Sequence, residues 1–473
     1  MPRILLTNAL IVTGTSCRKG SMGIDGERIS GIWYDGEPVF PGAEEIDLHG
    51  KVLMAGGIDA HVHFREPGMT GKGDIASESE AALLGGVTSF IDMPNTKPPT
   101  TSLEALEDKL STASKESRIN YGFHLGATNS NSGQIRKYIS DGLGARFGGI
   151  KVFMGSSTGN MLVDEEDTLR DLFSIKGKPI LIHSEDEGII RSNLEAARSR
   201  FGADIPMSEH PRIRSREACI RSTSKALELA VAYGTRLHIL HVSTAEEVDM
   251  IREAKLRNPL ITAETSANYL WFCDSDYARL GGRLKCNPAV KTAMDRAALI
   301  EGLKEGVIDT LGSDHAPHLP EEKAGKYLDC PSGLPTIGQS LSAAIAVALA
   351  NGIPLTSIAR AFSEKPAEIF GIQDRGALEV GCYADLVAVD PDKSFTVKAV
   401  AGKCGWSPYE GERLQGHVEM VWVNGTLAVN DSTSNIGKGL FPSALSDGAN
   451  MLPLHELKPL LEKLLRIRKA IMC

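Results

Sequence analysis

Apolar and polar positions alternate differently in the middle of the chain and at its two ends. From about residue 52 to residue 317, short apolar runs alternate with longer stretches of helical periodicity, and each run ends in polar or glycine-rich residues. Eight such runs occur: Val52–Phe64, Thr88–Pro94, Ile119–Gly126, Gly149–Gly155, Pro179–Glu185, Arg236–Ser243, Leu260–Thr265 and Val307–His315. Eight β-then-α units in series predict an α/β fold of the (β/α)8 type, a TIM-like barrel.

The two ends of the chain carry strand patterns of another kind. Residues 1–51 hold short alternating segments separated by glycines, and similar segments return at 384–389 and 418–426. Neither end has enough strands for a stable sheet, so we expect both to combine into one small β-sandwich. The predicted domains are 1–51 and 376–435 for the β-sandwich, 52–375 for the barrel, and 436–473 for a C-terminal extension with a helix over Leu454–Ile471.

Composition narrows the classes of function. A net charge of −9 and a pI near 5.8 argue against a nucleic-acid partner. No apolar run reaches the roughly 20 residues of a membrane-spanning helix and no signal peptide is apparent, so we expect a cytoplasmic protein without a membrane partner. The eight cysteines are scattered without a Cys-x-x-Cys pair, which is typical of reduced thiols. The expected partner is a small molecule, and a homodimer is a compatible assembly.

Candidate metal ligands fall at the C-terminal ends of the predicted strands, where this fold places its catalytic groups. His61 and His63 share one strand face because side chains alternate with a period of two. His183 and His241 each follow an apolar strand, and Asp314 closes the last one. Imidazole and carboxylate together suit zinc and similar divalent metals. Each residue alone has an ordinary interpretation as a buried polar group, but their convergence predicts a metal site.

Two neighbouring residues are placed by the same alternation. His238 lies out of the two-residue phase of His241 and is predicted to face the barrel exterior. Arg65 lies two residues beyond His63, in phase with the ligands, where its guanidinium could bind a substrate carboxylate in bidentate fashion. Arg65 therefore predicts an anionic substrate.

The segment Gly57–Gly68 reads Gly-Ile-Asp-Ala-His-Val-His-Phe-Arg-Glu-Pro-Gly and resembles the opening signature of the dihydroorotases, a family of the amidohydrolase superfamily. Later segments resemble further family motifs in the same order: Asp92–Pro98, Lys151–Met154, Ile182–Glu185, Leu240–Ser243, Cys286–Pro288 and Ser313–His318. The resemblance implies a metal-dependent hydrolase of cyclic amides. The implied reaction is the reversible cyclisation of N-carbamoyl-L-aspartate to dihydroorotate, a step of de novo pyrimidine synthesis.

The resemblance also implies a site of two Zn²⁺ ions per chain. His61 and His63 would bind one ion together with Asp314, His183 and His241 would bind the other, and Lys151, carboxylated on its nitrogen, would bridge them. A metal-bound hydroxide would attack the amide, with Asp314 as general acid and base. Two plainer interpretations stay open: a salt-bridging strand cap for Lys151, and a ligand without proton transfer for Asp314.

Three more residues resemble substrate-binding positions of the family, namely Asn95, Asn287 and His318, although each alone is equally typical of a turn or cap. The chain departs from the family in two places. Glu264–Leu270 stands where many relatives carry Pro-His-His, and Ala289–Lys291 follows Asn287-Pro288 in place of a second proline and an arginine. These departures affect the expected ring contacts and leave the metal ligands untouched.

Two other classes of function fit part of this pattern. Allantoinases and dihydropyrimidinases share the metal ligands but act on uncharged or differently substituted rings, and a non-catalytic scaffold would keep the barrel without the ligands. Arg65 and Asn95 favour an acidic substrate over the first class. The presence of all six candidate ligands favours an enzyme over the second.

Overall fold

The structure, a computed structural model, describes residues 3–155, 161–398, 400–430 and residue 445. The helix predicted over Leu454–Ile471 and most of the small, polar loop predicted after Lys151 lie outside these residues.

The strands of the described residues fall into a terminal group and a central group. They are β1 (Arg3–Val12), β2 (Cys17–Asp25), β3 (Arg28–Trp33), β4 (Glu44–Asp47), β5 (Val52–Ala55), β6 (Gly57–Val62), β7 (Val87–Asp92), β8 (Asn120–Phe123), β9 (Leu125–Gly126), β10 (Ile150–Phe153), β11 (Ile180–His183), β12 (Leu237–Ile239), β13 (Thr262–Thr265), β14 (Thr310–Leu311), β15 (Leu386–Thr396), β16 (Arg413–Val423) and β17 (Thr426–Asn430).

Helices separate the central strands, and several begin at a polar cap. Thr244, for example, accepts a hydrogen bond from the backbone of Glu247, whose carboxylate binds back to the start of the same helix. The α-helices are α1 (Ile75–Leu84), α2 (Leu103–Glu116), α3 (Ser132–Ser140), α4 (Glu166–Phe173), α5 (Glu187–Phe201), α6 (His210–Ile213), α7 (Arg216–Tyr233), α8 (Ala245–Arg257), α9 (Ala267–Trp271), α10 (Tyr277–Leu280), α11 (Ala293–Lys304), α12 (Pro320–Lys323), α13 (Ile337–Asn351), α14 (Leu355–Ala359) and α15 (Lys365–Phe370).

The central strands are parallel and form two sheets. One sheet has the order β6-β7-β8, and the other has the order β14-β13-β12-β11-β10-β9. An isolated parallel bridge pairs Val62, the last residue of β6, with His315, which follows β14, and His63 N donates to His315 O at 2.8 Å. The succession of parallel strands and helices agrees with the β/α units predicted from the sequence.

Strands from both ends of the chain share one sheet, as predicted. Its order is β17-β16-β15-β5-β1-β2-β3, with β4 paired in parallel to β1. Among the described residues these eight strands are hydrogen-bonded as a single mixed sheet. The sequence predicts a β-sandwich here, whereas the hydrogen bonds join these eight strands into one continuous sheet.

The boundary between the two parts lies later than the sequence predicts. Val52–Ala55 belongs to the terminal sheet, since β5 pairs with β1 and β15, and the first central strand starts only at Gly57. A Cβ at Gly56 would lie 2.3 Å from the Thr88 side chain, and one at Gly57 would lie 2.1 Å from Phe362. The two glycines therefore let the chain pass between closely packed layers, a break that the apolar pattern does not show.

Apolar side chains fill the space beneath the C-terminal ends of the central strands. Ile58, Ile91, Leu181 and Leu240 come from four different strand regions and pack with Phe370 of α15 in one buried cluster. Burial of this kind contributes about 25 cal/mol per Å² of apolar surface. The cluster gives the polar residues above it a rigid base.

Two expectations from the sequence concern membrane-spanning helices and the state of the cysteines. No helix in the described part of the chain combines the length and the apolar character needed to cross a bilayer. All seven cysteines within that part are free thiols.

Candidate metal centre

All six candidate ligands line one cavity at the C-terminal ends of the central strands. The cavity is lined by His61, His63, Lys151, Phe153, His183, His241, Asn287, Asp314, Ala316, Ser332 and Gly333. The six candidate ligands among them come from β6, β10 and β11 and from the segments that follow β6, β12 and β14. The structure thus brings together residues that lie up to 253 positions apart in the sequence.

One group of donor atoms gathers around Asp314. Its Oδ1 lies 3.2 Å from His61 Nε2 and 3.1 Å from His63 Nε2, and ligand atoms of these three residues lie within 4.8 Å of one another. Burial alone would raise the pKa of Asp314, but the two imidazoles outweigh it and hold that pKa well below its usual range. Asp314 is therefore an ionised carboxylate facing two imidazole nitrogens.

A second group pairs two histidines. His183 Nδ1 lies 2.9 Å from His241 Nε2, and both rings are buried. Burial lowers the pKa of each imidazole, so both are neutral near pH 7 and keep a lone pair. Four imidazole nitrogens and a carboxylate in one cavity form a donor set suited to divalent metals such as zinc.

Lys151 lies in the same cavity, and no carboxylate of the described residues is within salt-bridge distance of it. Its side chain is buried, Nζ has no hydrogen bond or ion pair within the described residues, and Nζ lies 4.5 Å from the centroid of the Phe153 ring. Burial lowers the pKa of its amine from 10.5 to about 7. Within the described residues, therefore, no carboxylate forms the salt bridge that a strand-capping Lys151 would need.

Three side chains hold the imidazoles from behind. Glu264 Oε1 lies 2.5 Å from His61 Nδ1, Glu185 Oε2 lies 2.9 Å from His183 Nε2, and Asn95 Oδ1 lies 2.8 Å from His63 Nδ1. Each contact fixes a ring so that its other nitrogen faces the cavity, which is how outer partners orient metal ligands. Sequence analysis missed the roles of Glu264 and Glu185. An acidic residue at the end of a strand that borders a ligand strand is the signal that could have indicated them.

Arg65 lies beside the cavity but does not line it. Its guanidinium is buried, donates from Nε to Pro317 O at 3.1 Å, and places Nη2 3.1 Å from His318 Nε2. The sequence predicts one strand face for His61, His63 and Arg65, and this is wrong for Arg65. The strand β6 ends at Val62, and φ of Arg65 is +70°, so the alternation stops before Arg65.

The guanidinium of Arg65 has no ionic partner in the part of the chain that the structure describes. No carboxylate oxygen in the described residues lies within salt-bridge distance of it, and burial lowers its pKa from 12.5 to about 10. Lys72 Nζ approaches His318 Nδ1 at 3.0 Å, so Nδ1 accepts, Nε2 carries the proton, and that proton is donated to Ser332 O at 3.1 Å. Nη2 of Arg65 then faces a protonated Nε2 of His318, so this nitrogen does not accept a hydrogen bond from Nη2.

The three other predicted substrate-binding residues differ in their placement. Asn287 lines the cavity, and its buried Oδ1 has no hydrogen-bond partner in the described structure. His318 borders the cavity through Ser332, whereas Asn95 binds His63. Of the three, Asn287 is the one whose polar atom is left for a ligand.

Three of the seven non-glycine residues with positive φ in the described part of the chain belong to this site. Arg65, His241 and Asp314 have φ values of +70°, +38° and +48°, in the left-handed region that non-glycine residues rarely adopt. Strained residues of this kind persist where the surrounding structure holds them, typically at functional sites. Each of the three follows a central strand and turns its side chain out of the strand's alternation.

His238 does not face outward, so that prediction is wrong. Its Nε2 lies 3.7 Å from Glu264, the carboxylate that also binds His61, and its ring packs edge-on against Phe370. The two-residue phase fails because β12 ends at Ile239 and His241 adopts a left-handed conformation. His238 belongs to the buried layer beneath the cavity.

Side chains of the segment Glu264–Leu270, which departs from the family pattern, form hydrogen bonds with the backbone of neighbouring segments. Asn268 donates to Ser313 O at 3.4 Å and accepts from Tyr409 OH at 3.0 Å, and Tyr269 OH donates to Pro288 O at 2.7 Å. These side chains support the segments that carry Asp314 and Asn287.

Residues 52–428 match the amidohydrolase family. The chain is 35% identical to a dihydroorotase of Methanosarcina acetivorans over 90% of this chain and 93% of that protein. It is 31% identical to an allantoinase of Deinococcus radiodurans over 89% and 94%, respectively. Among solved structures, an L-hydantoinase (dihydropyrimidinase) from Arthrobacter aurescens superposes with a TM-score of 0.88 at 28% identity, covering 94% of this chain and all of that one.

Proposed function

The chain belongs to the amidohydrolase family and is a hydrolase of cyclic amides, and on this premise we propose that it is a dihydroorotase. The proposed reaction is the reversible cyclisation of N-carbamoyl-L-aspartate to dihydroorotate, in de novo pyrimidine synthesis. The ring carries a carboxylate, which distinguishes it from the rings of allantoin and dihydrouracil.

The observation that carries this proposal is the buried guanidinium of Arg65. A buried cation without a counter-ion is unfavourable by several kcal/mol, and a carboxylate that accepts two parallel N–H bonds compensates best. Arg65 is next to the cavity, because its neighbour His318 binds Ser332 and Ser332 lines the cavity. The carboxylate of dihydroorotate would supply the missing anion.

The cavity fits the metal dependence that the family implies. We propose two Zn²⁺ ions, one held by His61, His63 and Asp314 and the other by His183 and His241, with a carboxylated Lys151 between them. When bound, such ions polarise the scissile carbonyl and lower the pKa of a water molecule. The unpaired amine of Lys151 is in a suitable state for carboxylation, because a neutral nitrogen can react with CO2 whereas an ammonium has no lone pair.

Asp314 is the residue we assign to proton transfer. Its Oδ1 faces the imidazoles, and its Oδ2 has no hydrogen-bond partner among the described residues. An ionised carboxylate in that position accepts the proton of the attacking water on Oδ2 and passes it to the leaving ring nitrogen. Asn287 would orient the ring by accepting an N–H on its unpartnered Oδ1.

Several further properties complete the proposal. The two parallel sheets form one closed (β/α)8 barrel, for which the Val62–His315 bridge is the supporting contact. The protein acts in the cytoplasm on a small anionic molecule, without nucleic acid or membrane, and a homodimer is a compatible assembly.

An allantoinase or a dihydropyrimidinase is the second candidate function. It is favoured by the identity to the allantoinase and by the superposition on the L-hydantoinase. An uncharged ring, however, would leave Arg65 buried and unpaired.

A substrate panel with two arginine variants tests the proposal. Purified protein is incubated with dihydroorotate, allantoin and dihydrouracil, and ring opening is followed. We expect dihydroorotate to have the largest kcat/KM, and Arg65→Ala to lower that value by about 10²-fold or more, because a charged bidentate contact is lost. Arg146→Ala, which removes another buried arginine paired with Glu107 away from the cavity, should leave the ranking unchanged. Faster opening of allantoin or dihydrouracil by the unmodified protein would refute the assignment.

A further inference from the structure

A segment that connects two strands of the terminal sheet contacts the loop that carries Asp314. This segment, residues 402–409, lies between β15 and β16 and is called the docking segment below. Ser313–His318, called the Asp314 loop below, follows β14 and carries Asp314. Three separate connections join the two segments.

The first connection is made by Trp406. Its indole Nε1 donates to the backbone carbonyl of His318 at 2.7 Å, and both residues are buried. The ring of His318 in turn touches Arg65 and Ser332. Trp406 therefore fixes the end of the loop whose imidazole abuts the guanidinium.

The second connection is made by Tyr409. Its hydroxyl is fully buried and donates to Asn268 Oδ1 at 3.0 Å. The amide of Asn268 donates to the carbonyl of Ser313 at 3.4 Å, next to Asp314 in the chain. Tyr409 thereby supports the start of the same loop.

The third connection passes through Glu78. The backbone N–H of Lys403 donates to Glu78 Oε1 at 2.9 Å, and Glu78 Oε2 accepts from His315 Nε2 at 2.7 Å. Nδ1 of His315 carries no proton, because it accepts a hydrogen bond from the backbone N–H of Thr336 at 3.0 Å, so Nε2 is the donor to Glu78. The ring next to Asp314 is thus held from the docking segment as well.

We propose that Trp406 and Tyr409 are positioning residues for the reaction, so that the docking segment helps to set the geometry of the active site. Trp406 sets the position of His318 and Arg65 and hence the affinity for the substrate carboxylate. Tyr409 sets the position of Asp314 and hence the rate of proton transfer. The assignment rests on the proposed function, because it assumes that Arg65 binds a carboxylate.

Conservative variants separate these two roles. Trp406→Phe keeps an aromatic ring but leaves the buried carbonyl of His318 without its donor, and we expect KM for dihydroorotate to rise about tenfold with kcat little changed. Tyr409→Phe removes one hydroxyl, and we expect kcat to fall about three- to tenfold with KM little changed. Trp33→Phe is the matched control, since Trp33 lies in β3 and its ring packs against Phe40, away from the Asp314 loop.

Thermal unfolding and metal content are measured for every variant, so that a change in folding is recognised. A higher KM in Trp406→Phe and a lower kcat in Tyr409→Phe, at unchanged metal content and with no change in the control variant, would support the proposal. Equal losses in both parameters together with a lower Tm, or no change in either, would overturn it. Failure of the proposed function looks different: the unmodified protein would then prefer an uncharged ring, and Tyr409→Phe should still lower kcat on that ring while Trp406→Phe leaves its KM unchanged.

Discussion

Glu264 Oε1 lies 2.5 Å from His61 Nδ1, and both side chains are almost fully buried. The same oxygen is 3.4 Å from the backbone N–H of His241, at a residue whose φ is +38°. A Cβ at position 312 would lie 2.4 Å from Glu264 Oε2, so Gly312 leaves room for the carboxylate. One carboxylate therefore contacts a candidate ligand from each of the two groups of donor atoms.

Replacing this carboxylate should weaken metal binding without unfolding the protein. In Glu264→Gln the neutral amide no longer stabilises the ring of His61 in its orientation, and loss of such an outer partner typically lowers metal affinity about 10- to 100-fold. Competition with a chelator of known affinity measures the change. Asp295→Asn is the control, because Asp295 is a buried carboxylate that caps α11 and pairs with Arg216 away from the ligands. Equal metal affinities in the two variants would contradict the assigned role of Glu264.

Lys151 makes the stability of the metal-free protein depend on pH. Its folded pKa of about 7 lies below its ordinary value of 10.5, so between these values the unfolded chain binds more protons than the folded one. The free energy of unfolding should therefore rise with pH across this window, with a slope of at most about 1.4 kcal/mol per pH unit. Urea unfolding in CO2-free buffer measures the slope, and Lys151→Met should remove this contribution. A variant that keeps the full slope would show that another group is responsible.

Asn287 and Asn268 should respond differently to truncation. Asn287→Ala removes a buried oxygen that has no partner, so we expect the free energy of unfolding to stay within about 0.5 kcal/mol while kcat/KM falls about tenfold. Asn268→Ala breaks two hydrogen bonds and leaves their partners unsatisfied, so it should destabilise the protein by about 1–3 kcal/mol. Denaturant unfolding and steady-state kinetics of both variants decide the matter. A comparable loss of stability in Asn287→Ala would mean that its oxygen does not await a ligand.

Removal of metal should lower stability in a reversible manner. A ligand that binds only the folded state adds about 2.7 kcal/mol when its free concentration is a hundred times its Kd. Dialysis against a chelator should therefore lower Tm, and addition of Zn²⁺ should restore it in proportion to the metal bound. His183→Ala should lower the restored amount, since it removes one donor of the His183–His241 pair. A Tm that does not respond to chelator and Zn²⁺ would contradict a metal centre.

The sequence by itself determined the order of the parallel β/α units and which strand ends carry candidate ligands. Both depend on local periodicity: a period of two places His61 and His63 near one another, and apolar runs ending in His183 or Asp314 mark strands that end in a polar group. The combination of both chain ends in one sheet was also predictable, because neither end has enough strands to stand alone.

The tertiary structure decided the partners and the directions of these side chains. Glu264 meets His61 across 203 positions and Trp406 meets His318 across 88, and no local pattern encodes such pairs. The sequence also predicted Arg65 in phase with His63, whereas the left-handed backbone conformation of Arg65 itself turns its side chain toward His318. Periodicity describes a chain only while its dihedral angles repeat, and at this site the angles stop repeating where the strands end. Packing between distant segments then sets each direction.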